Sequence, residues 1–302
     1  MNKKIILVLV ILMTSNIFAG AIIGWGFNYD GQSNSPIGND FIKVSGGAFH
    51  SLALRSDGSL LGWGRSDYGT NDVPSGSFTH ISSASFHNIA LKSDGSIIAW
   101  GVNDSGITDV PIGNNFIDIS SGYDHGIALK SDGSIIAWGD HSHNKCDVPI
   151  GNDFIKINGG DYHSLALRSD GSLVAWGRSD FGITDVPDGN DFVDISAEGN
   201  FNIALKADGS IVAWGNNNEG ECDSPSGNDF VNISAGTNHG LALKLDGSVV
   251  SWGYNNLGQS NVPIRNDYVY ISGAYRHSLA IIPEPCSILL IGLGGLLIRK
   301  TL

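Results

Sequence analysis

Asn152 to Gly177 reads NDFIKINGGDYHSLALRSDGSLVAWG. Phe154-Ile155-Lys156-Ile157 is a short strand pattern, broken by Gly159-Gly160. His163 to Arg168 is a second strand, with apolar Leu165 and Leu167 alternating toward one face. Ser169-Asp170-Gly171-Ser172 is a tight hairpin turn. Gly171 supplies the positive φ that such a turn needs, and Asp170 tolerates it. Leu173 to Trp176 is a third strand. A polar loop from Arg178 to Pro187 then leads to Asp188-Gly189-Asn190-Asp191, where the pattern begins again.

The Trp-Gly pair that ends this stretch stands at Trp25, Trp63, Trp100, Trp138, Trp176, Trp214 and Trp252, spaced 38 residues apart except for one step of 37. So regular a period means one small supersecondary unit copied along the chain. Three short antiparallel strands cannot bury both faces alone, but stacked radially they can. The expected fold is therefore all-β, a seven-bladed β-propeller with short three-stranded blades. A solenoid would need polar caps at both ends. This chain has complementary fragments instead. Ala21 to Gly26 carries a Trp-Gly with no Asp-Gly turn before it, and His277 to Ile282 has no Trp-Gly after it. The first is a lone third strand and the last a second strand without its third. Joining them completes the seventh blade and removes the exposed sheet edges. Each tryptophan can bury roughly 150–250 Å², so core packing accounts for the series.

The pattern Gly47, His50, Leu52, Leu54, Asp57, Gly58, Trp63, Gly64, repeated at each step, resembles the repeat of the regulator of chromosome condensation family. The resemblance covers residues 21 to 282. The short repeat is closer to bacterial members, including the propeller-type β-lactamase inhibitor proteins, and implies seven three-stranded blades. One copy departs, with Phe201 standing where the histidine belongs.

The two ends read as processing segments. Lys3-Lys4, the apolar run Ile5 to Met13 and small residues at Ala19 and Ala21 form a secretory signal over residues 1–19. The propeller is expected over 20–282. Residues 283–302 hold Pro283-Glu284-Pro285, an uncharged apolar run from Cys286 to Ile298, and Arg299-Lys300. That run is short against the ~20 residues of a bilayer crossing. The order resembles the PEP-CTERM sorting tail of Gram-negative bacteria. It implies an exosortase-type sorting enzyme as partner, transient membrane association through the tail, and export to the outer envelope or beyond. The uncleaved alternative is a weak C-terminal anchor.

With a formal net charge of −13, the chain repels nucleic-acid phosphates and anionic lipid. The chromatin role of the eukaryotic regulator is accordingly not carried over; neither is its nucleotide-exchange role, since an exported protein has no access to a cytosolic GTPase. A monomer is expected. Cys146 and Cys222 occupy the same loop position two blades apart, too far for a disulfide.

Strand order places the Gly-x-x-His turns and the residues after each Trp-Gly on one rim, here called the top. The Asp-Gly-Ser turns lie on the opposite rim and scarcely change between copies. The top does change, reading Ala48-Phe49, Ser85-Phe86, Tyr123-Asp124, Asp161-Tyr162, Gly199-Asn200, Thr237-Asn238 and Tyr275-Arg276. Variation confined to one face of a rigid scaffold marks a binding surface, and aromatic with acidic side chains suits a protein or glycan partner. The candidate binding residues are Phe49, Phe86, Tyr123, Asp124, Asp161, Tyr162, Tyr275 and Arg276, expected to form a ring of exposed aromatics. Drift on a solvated loop is the plain alternative.

No catalytic residue is expected and no cofactor. His50, His87, His125, His163, His239 and His277 recur at one position, where catalysis needs a residue only once; each is expected to bond backbone near its turn. The non-repeating loop Asp140-His141-Ser142-His143 with Cys146 is a weak candidate for zinc. The functional expectation is an exported, non-catalytic interaction module of the cell envelope or exopolysaccharide matrix. Its rivals are a β-lactamase-inhibitor-like protein that binds a secreted enzyme, and a lyase or glycosidase with an unrecognised site.

Overall fold

The computed structural model describes residues 19–283. Segment 1–18 of the expected signal and 284–302 of the expected tail, with Cys286, lie outside the described residues. Blade 4 shows the unit. An inner strand Phe154–Gly159, a middle strand His163–Arg168 and an outer strand Leu173–Gly177 pair antiparallel in that order. Five sheets have this three-stranded form and a sixth has six strands. The sixth is two blades joined at a single bridge, Gly20 opposite Phe41. Blade 7 takes Tyr270–Gly273 and His277–Pro283 from one end of the chain and its outer strand, Gly20–Gly26, from the other. The closing ladder runs from Gly20 opposite Pro283 to Gly26 opposite His277, so the last strand reaches one residue past the expected boundary. The seven inner strands touch in cyclic order around a central channel. Among the described residues no helix is long and apolar enough to cross a membrane.

Six of the seven inner strands bulge after their first residue, as between Phe154 and Lys156; that of blade 7 pairs without a shift. A one-residue slip exchanges the two faces of a strand. Phe154 and Ile157 therefore both enter the core although they stand three apart, while Lys156 and Asn158 face the channel. The core itself is not central. It consists of seven apolar clusters, each between two successive blades. In blade 4, Leu165 and Leu167 point forward into blade 5, while the small Ala166 points back and leaves room for Leu129 and Ile127 of blade 3. That division explains the Leu-Ala-Leu pattern of the middle strands.

Polar joints accompany every apolar seam. Each indole Nε1–H donates to a backbone carbonyl in the loop arriving from the previous blade: Trp63 to Gln32, Trp176 to Lys145, and Trp25 to Gln259 across the closure. The residue after each histidine often shares that carbonyl, as Ser51 Oγ does at Gln32 and Asn202 Nδ2 at Ile183. That same residue accepts from the histidine of the blade before. His50 Nε2 reaches Asn88 Oδ1 at 2.8 Å, His125 reaches Ser164, His163 reaches Asn202, His239 reaches Ser278, and His277 reaches Ser51. The histidine role is structural, but its partner is a side chain of the next blade and not backbone near the turn. Along the channel wall a third joint repeats: the Ser121 N–H donates to Ser82 Oγ and the Ala197 N–H to Asn158 Oδ1.

Two blades break the histidine joint. His87 faces Gly126 and its Nε2 has no partner. Phe201, fully buried, faces Gly240 and needs none.

Two expectations follow from the seams. Ile22, on the closing strand, is 2% exposed. Ile22→Ala should lower stability by about 2–4 kcal/mol in urea unfolding; an unchanged midpoint would show that the ring does not depend on this strand. Burial lowers the histidines from 6.5 to about 4 at His50, His163 and His239, and to about 3 at His87, His125 and His277. These rings stay neutral in the fold, while the unfolded chain takes up protons below its ordinary histidine pKa. Their contribution is intact above that value and falls as the pH drops toward the folded one, by up to about 1.4 kcal/mol per pH unit per histidine. His87→Phe copies the arrangement at Phe201. It should recover about 2 kcal/mol of the loss between about pH 7 and pH 5, read from paired urea titrations.

Candidate functional site

The top rim is built as the strand order requires. The Arg65 N–H donates to the Phe49 carbonyl and the Arg178 N–H to the Tyr162 carbonyl, holding each post-tryptophan loop against its Gly-x-x-His turn. These bonds use backbone only, so the side chains at the turn tips are free to differ.

The aromatics gather into two patches and not into a ring. Across blades 7, 1 and 2, Phe49 stacks on Phe86 with centroids 5.7 Å apart, and Phe27 and Tyr275 close on Phe49 from the other side. Tyr68 tilts against Phe86. The Arg65 guanidinium lies 5.1 Å from the Phe49 ring, and Arg276 lies over Tyr275. Across blades 3 and 4, Tyr123 meets Tyr162 at 5.9 Å, and Tyr162 is flanked by His143, Lys145 and Arg178. Blades 5 and 6 contribute Gly199-Asn200 and Thr237-Asn238 at these positions and interrupt the ring. Phe49, Phe86, Tyr162 and Tyr275 are half-buried, while Tyr123 and Arg276 are exposed.

A buried cation organises the second patch. The Lys145 side chain is 0% exposed and its Nζ donates to Asp124 at 2.5 Å and Asp140 at 2.6 Å. Burial opposes its charge, but the two carboxylates outweigh burial and raise its pKa. Burial pushes Asp124 up, while the bonds from Lys145 and Ser142 pull Asp140 down. Asp161, in the next blade, is raised to about 6, chiefly by burial and then by the charge of Asp124. Glu198 is raised as well, by burial and by Asp161. The top face therefore gains negative charge as the pH rises through about 6. Glu198 stands where the other copies carry Gly or Ala, in the blade that also exchanges His for Phe.

The zinc candidate does not assemble. Among the described residues no group of three or more His, Cys, Asp or Glu side chains is placed to hold a metal. His141 is exposed, His143 packs on Tyr162, and Cys146 Sγ donates to the Asp140 carbonyl with its pKa pushed up to about 11 by burial. Cys222 does the same at Asn216, and both thiols are free. Asn144, which replaces a glycine, takes φ +61°, close to Gly106 at +78° and Gly182 at +68°. Asparagine tolerates that left-handed conformation.

Phe27, Arg65 and Tyr68, which the sequence sets on the varying top rim, were not counted among the binding residues there, and Lys145 and Arg178 were passed over. Sequence reading also took the His141 loop as the one non-repeating group, whereas the channel carries another. The position two residues after each inner-strand aromatic reads Lys43, His80, Asp118, Lys156, Asp194, Asn232 and Tyr270. Setting the copies in register would have exposed this series.

The architecture defines a class: a repeat β-propeller of three-stranded blades closed by the N-terminal strand. The repeat is like that of the regulator of chromosome condensation (RCC1), which matches residues 41–70, 116–145, 154–183, 192–221 and 230–259. The fold is that of RCC1 homologues. Prp20p of Saccharomyces cerevisiae superposes with a TM-score of 0.75 at 17% identity, over 88% of this chain and 92% of that one. Human WBSCR16 gives 0.72 at 15% identity, over 88% and 99%. The CRINKLY WD40 ectodomain of the Arabidopsis thaliana receptor kinase ACR4 gives 0.67 at 14% identity, over 80% and 93%. A search of curated proteins returns no match.

Lys145→Met should destabilise the protein by about 2–3 kcal/mol, because it leaves Asp124 and Asp140 facing each other without their cation. The loss should shrink in acid as the carboxylates protonate. A pH-independent loss would show that Lys145 acts through packing alone.

Proposed function

We propose that the protein is an exported, non-catalytic protein-interaction module of the bacterial cell envelope or exopolysaccharide matrix that binds through its top rim. The two aromatic patches, each flanked by cations and built from residues that differ between otherwise identical blades, carry this reading. Aromatic and arginine side chains supply most of the energy at protein interfaces. The RCC1-repeat fold supports it too: the yeast relative Prp20p is described by its binding properties to Gsp1p and histones. A net charge of −13 argues against nucleic acid as the partner here. The export part rests on the sequence of the two ends, the second of which is proposed as a sorting signal cut by an exosortase-type enzyme.

A narrower form of the same reading, supported by the short three-stranded blades, makes the partner a secreted β-lactamase-type enzyme. A direct inhibition assay addresses it.

Tyr123→Ala, Tyr162→Ala and Tyr275→Ala combined should leave the melting temperature nearly unchanged. They should weaken capture of the envelope partner in a pull-down by about 1–2 kcal/mol for each side chain at the centre of contact. Normal binding by the folded triple variant, with loss of binding on changing the Asp-Gly-Ser rim, would place the partner on the other face. The intact mass of the native protein tests export; a mass that retains both Met1 and Leu302 would refute processing.

A further inference from the structure

The central channel encloses about 530 Å³ and is lined by all seven inner strands. Two belts of polar side chains project into it. The belt at Ser45, Ser82, Ser120, Asn158, Ser196, Ser234 and Ser272 is nearly uniform, and its uniformity has a cause. Six of these side chains accept an inner-strand N–H from the next blade, beginning with Ser83 N–H to Ser45 Oγ at 2.9 Å and ending with Gly273 N–H to Ser234 Oγ at 2.8 Å. The belt two residues earlier has no such duty. Lys43, His80, Asp118, Lys156, Asn232 and Tyr270 line the channel there, and Asp194 is tied to Lys156 by an ion pair. No two adjacent blades agree. This belt lies toward the bottom mouth, because the inner strands start beside the Asp-Gly turns, as Phe78 N–H bonding Gly58 O shows.

The charges within this belt do not all pair. Lys156 has Asp194. Lys43 reaches only the Thr79 carbonyl, at 3.2 Å, and forms no ion pair. Asp118 accepts only its neighbour's backbone N–H, from Ile119 at 2.9 Å, and forms none either. They stand on blades 1 and 3, with His80 between them on blade 2. Burial is the main influence on both, lowering Lys43 and raising Asp118; Asp118 favours the charge on Lys43, and Lys156 and then Lys43 favour the charge on Asp118, without either cation bonding it. His80, lowered to about 4 by burial and then by Lys43, is neutral and adds no charge. Half-buried charges left without counter-ions are costly.

We infer that the lower channel is a binding site for a small zwitterion of the amino-acid class, its carboxylate toward Lys43 and its ammonium toward Asp118. Charge complementarity selects the class. Two lysines and two aspartates leave the belt neutral overall, which favours neither a free anion nor a free cation. One free charge of each sign asks for both poles on one molecule. A pyranose would need an exposed aromatic face, and Tyr270 spends its ring against the core. Ile117 and Ile155, on the bulges beside Asp118 and Lys156, are 48% and 55% exposed and offer an apolar wall for a side chain. The inference does not rest on the top-rim reading, which concerns the opposite end of the channel.

Equilibrium dialysis of the full-length protein against a mixture of the L-amino acids, glucose and inorganic phosphate, with mass spectrometry of what is retained, tests it. Retention of an amino acid is expected, weakened at least about tenfold in Lys43→Met and in Asp118→Asn. The N-acetyl and methyl-ester derivatives of the retained amino acid should each bind at least about tenfold more weakly to the unaltered protein. That comparison probes both poles without requiring any variant to fold. Retention of no amino acid, equal binding of the derivatives, or retention of glucose or phosphate in their place would overturn the assignment.

Discussion

The bond from each indole N–H to a carbonyl of the incoming loop is the contact on which the ring depends. A three-stranded blade has no interior of its own. Its apolar side chains are buried only when the next blade lies against them, at about 25 cal/mol per Å² removed from water. Apolar contact sets no register along the seam, and the directional bonds do. The tryptophan anchors the loop, the Ser or Asn opposite it in the same blade shares the anchored carbonyl, and the histidine ties that residue to the blade before. A polar atom brought into the seam needs a partner, which is why Trp recurs in all seven blades, His in six, and Ser or Asn at the residue that accepts from it in five.

Where the obligation lapses, the sequence varies. Gly126 offers His87 no acceptor, and that imidazole is left unsatisfied. Phe201 meets Gly240, and a hydrocarbon ring fills the seam with nothing to satisfy. Blade 5 pairs this exchange with Glu198 in place of the usual small residue. At Gly160 an added Cβ would fall 2.2 Å from His163 Cε1, so the histidine enforces the small residue above it. In blade 5 the histidine is gone and a long side chain is accommodated.

The same logic separates scaffold from surface. The Asp-Gly-Ser turns repeat because each aspartate caps its own turn, as Asp170 does for the Ser172 N–H and hydroxyl. The side chains at the turn tips on the top rim and in the lower belt of the channel take no part in the seam bonds that repeat from blade to blade, and there the blades diverge. Two regions thus vary freely within one rigid ring. The top rim bears aromatic and cationic groups suited to a macromolecule, and the lower channel bears small, unpaired charges suited to a small one.

The sequence alone determined the blade, the ring of seven and its closure, because these follow from period, turn chemistry and two half-repeats that complete each other. It also determined that the top rim varies. Tertiary structure decided what no linear pattern holds. Phe49 meets Phe86 and Tyr275 only because the ring brings three blades together, and the aromatics split into two patches because blades 5 and 6 intervene. Lys145 reads as one more loop residue until Asp124 arrives from the Gly-x-x-His turn to pair with it. The channel belt was hidden for a different reason. The bulges after Phe41 and Phe116 shift the alternation by one residue, so simple period-two counting places Lys43 and Asp118 in the core, and only the folded strand turns them into the channel.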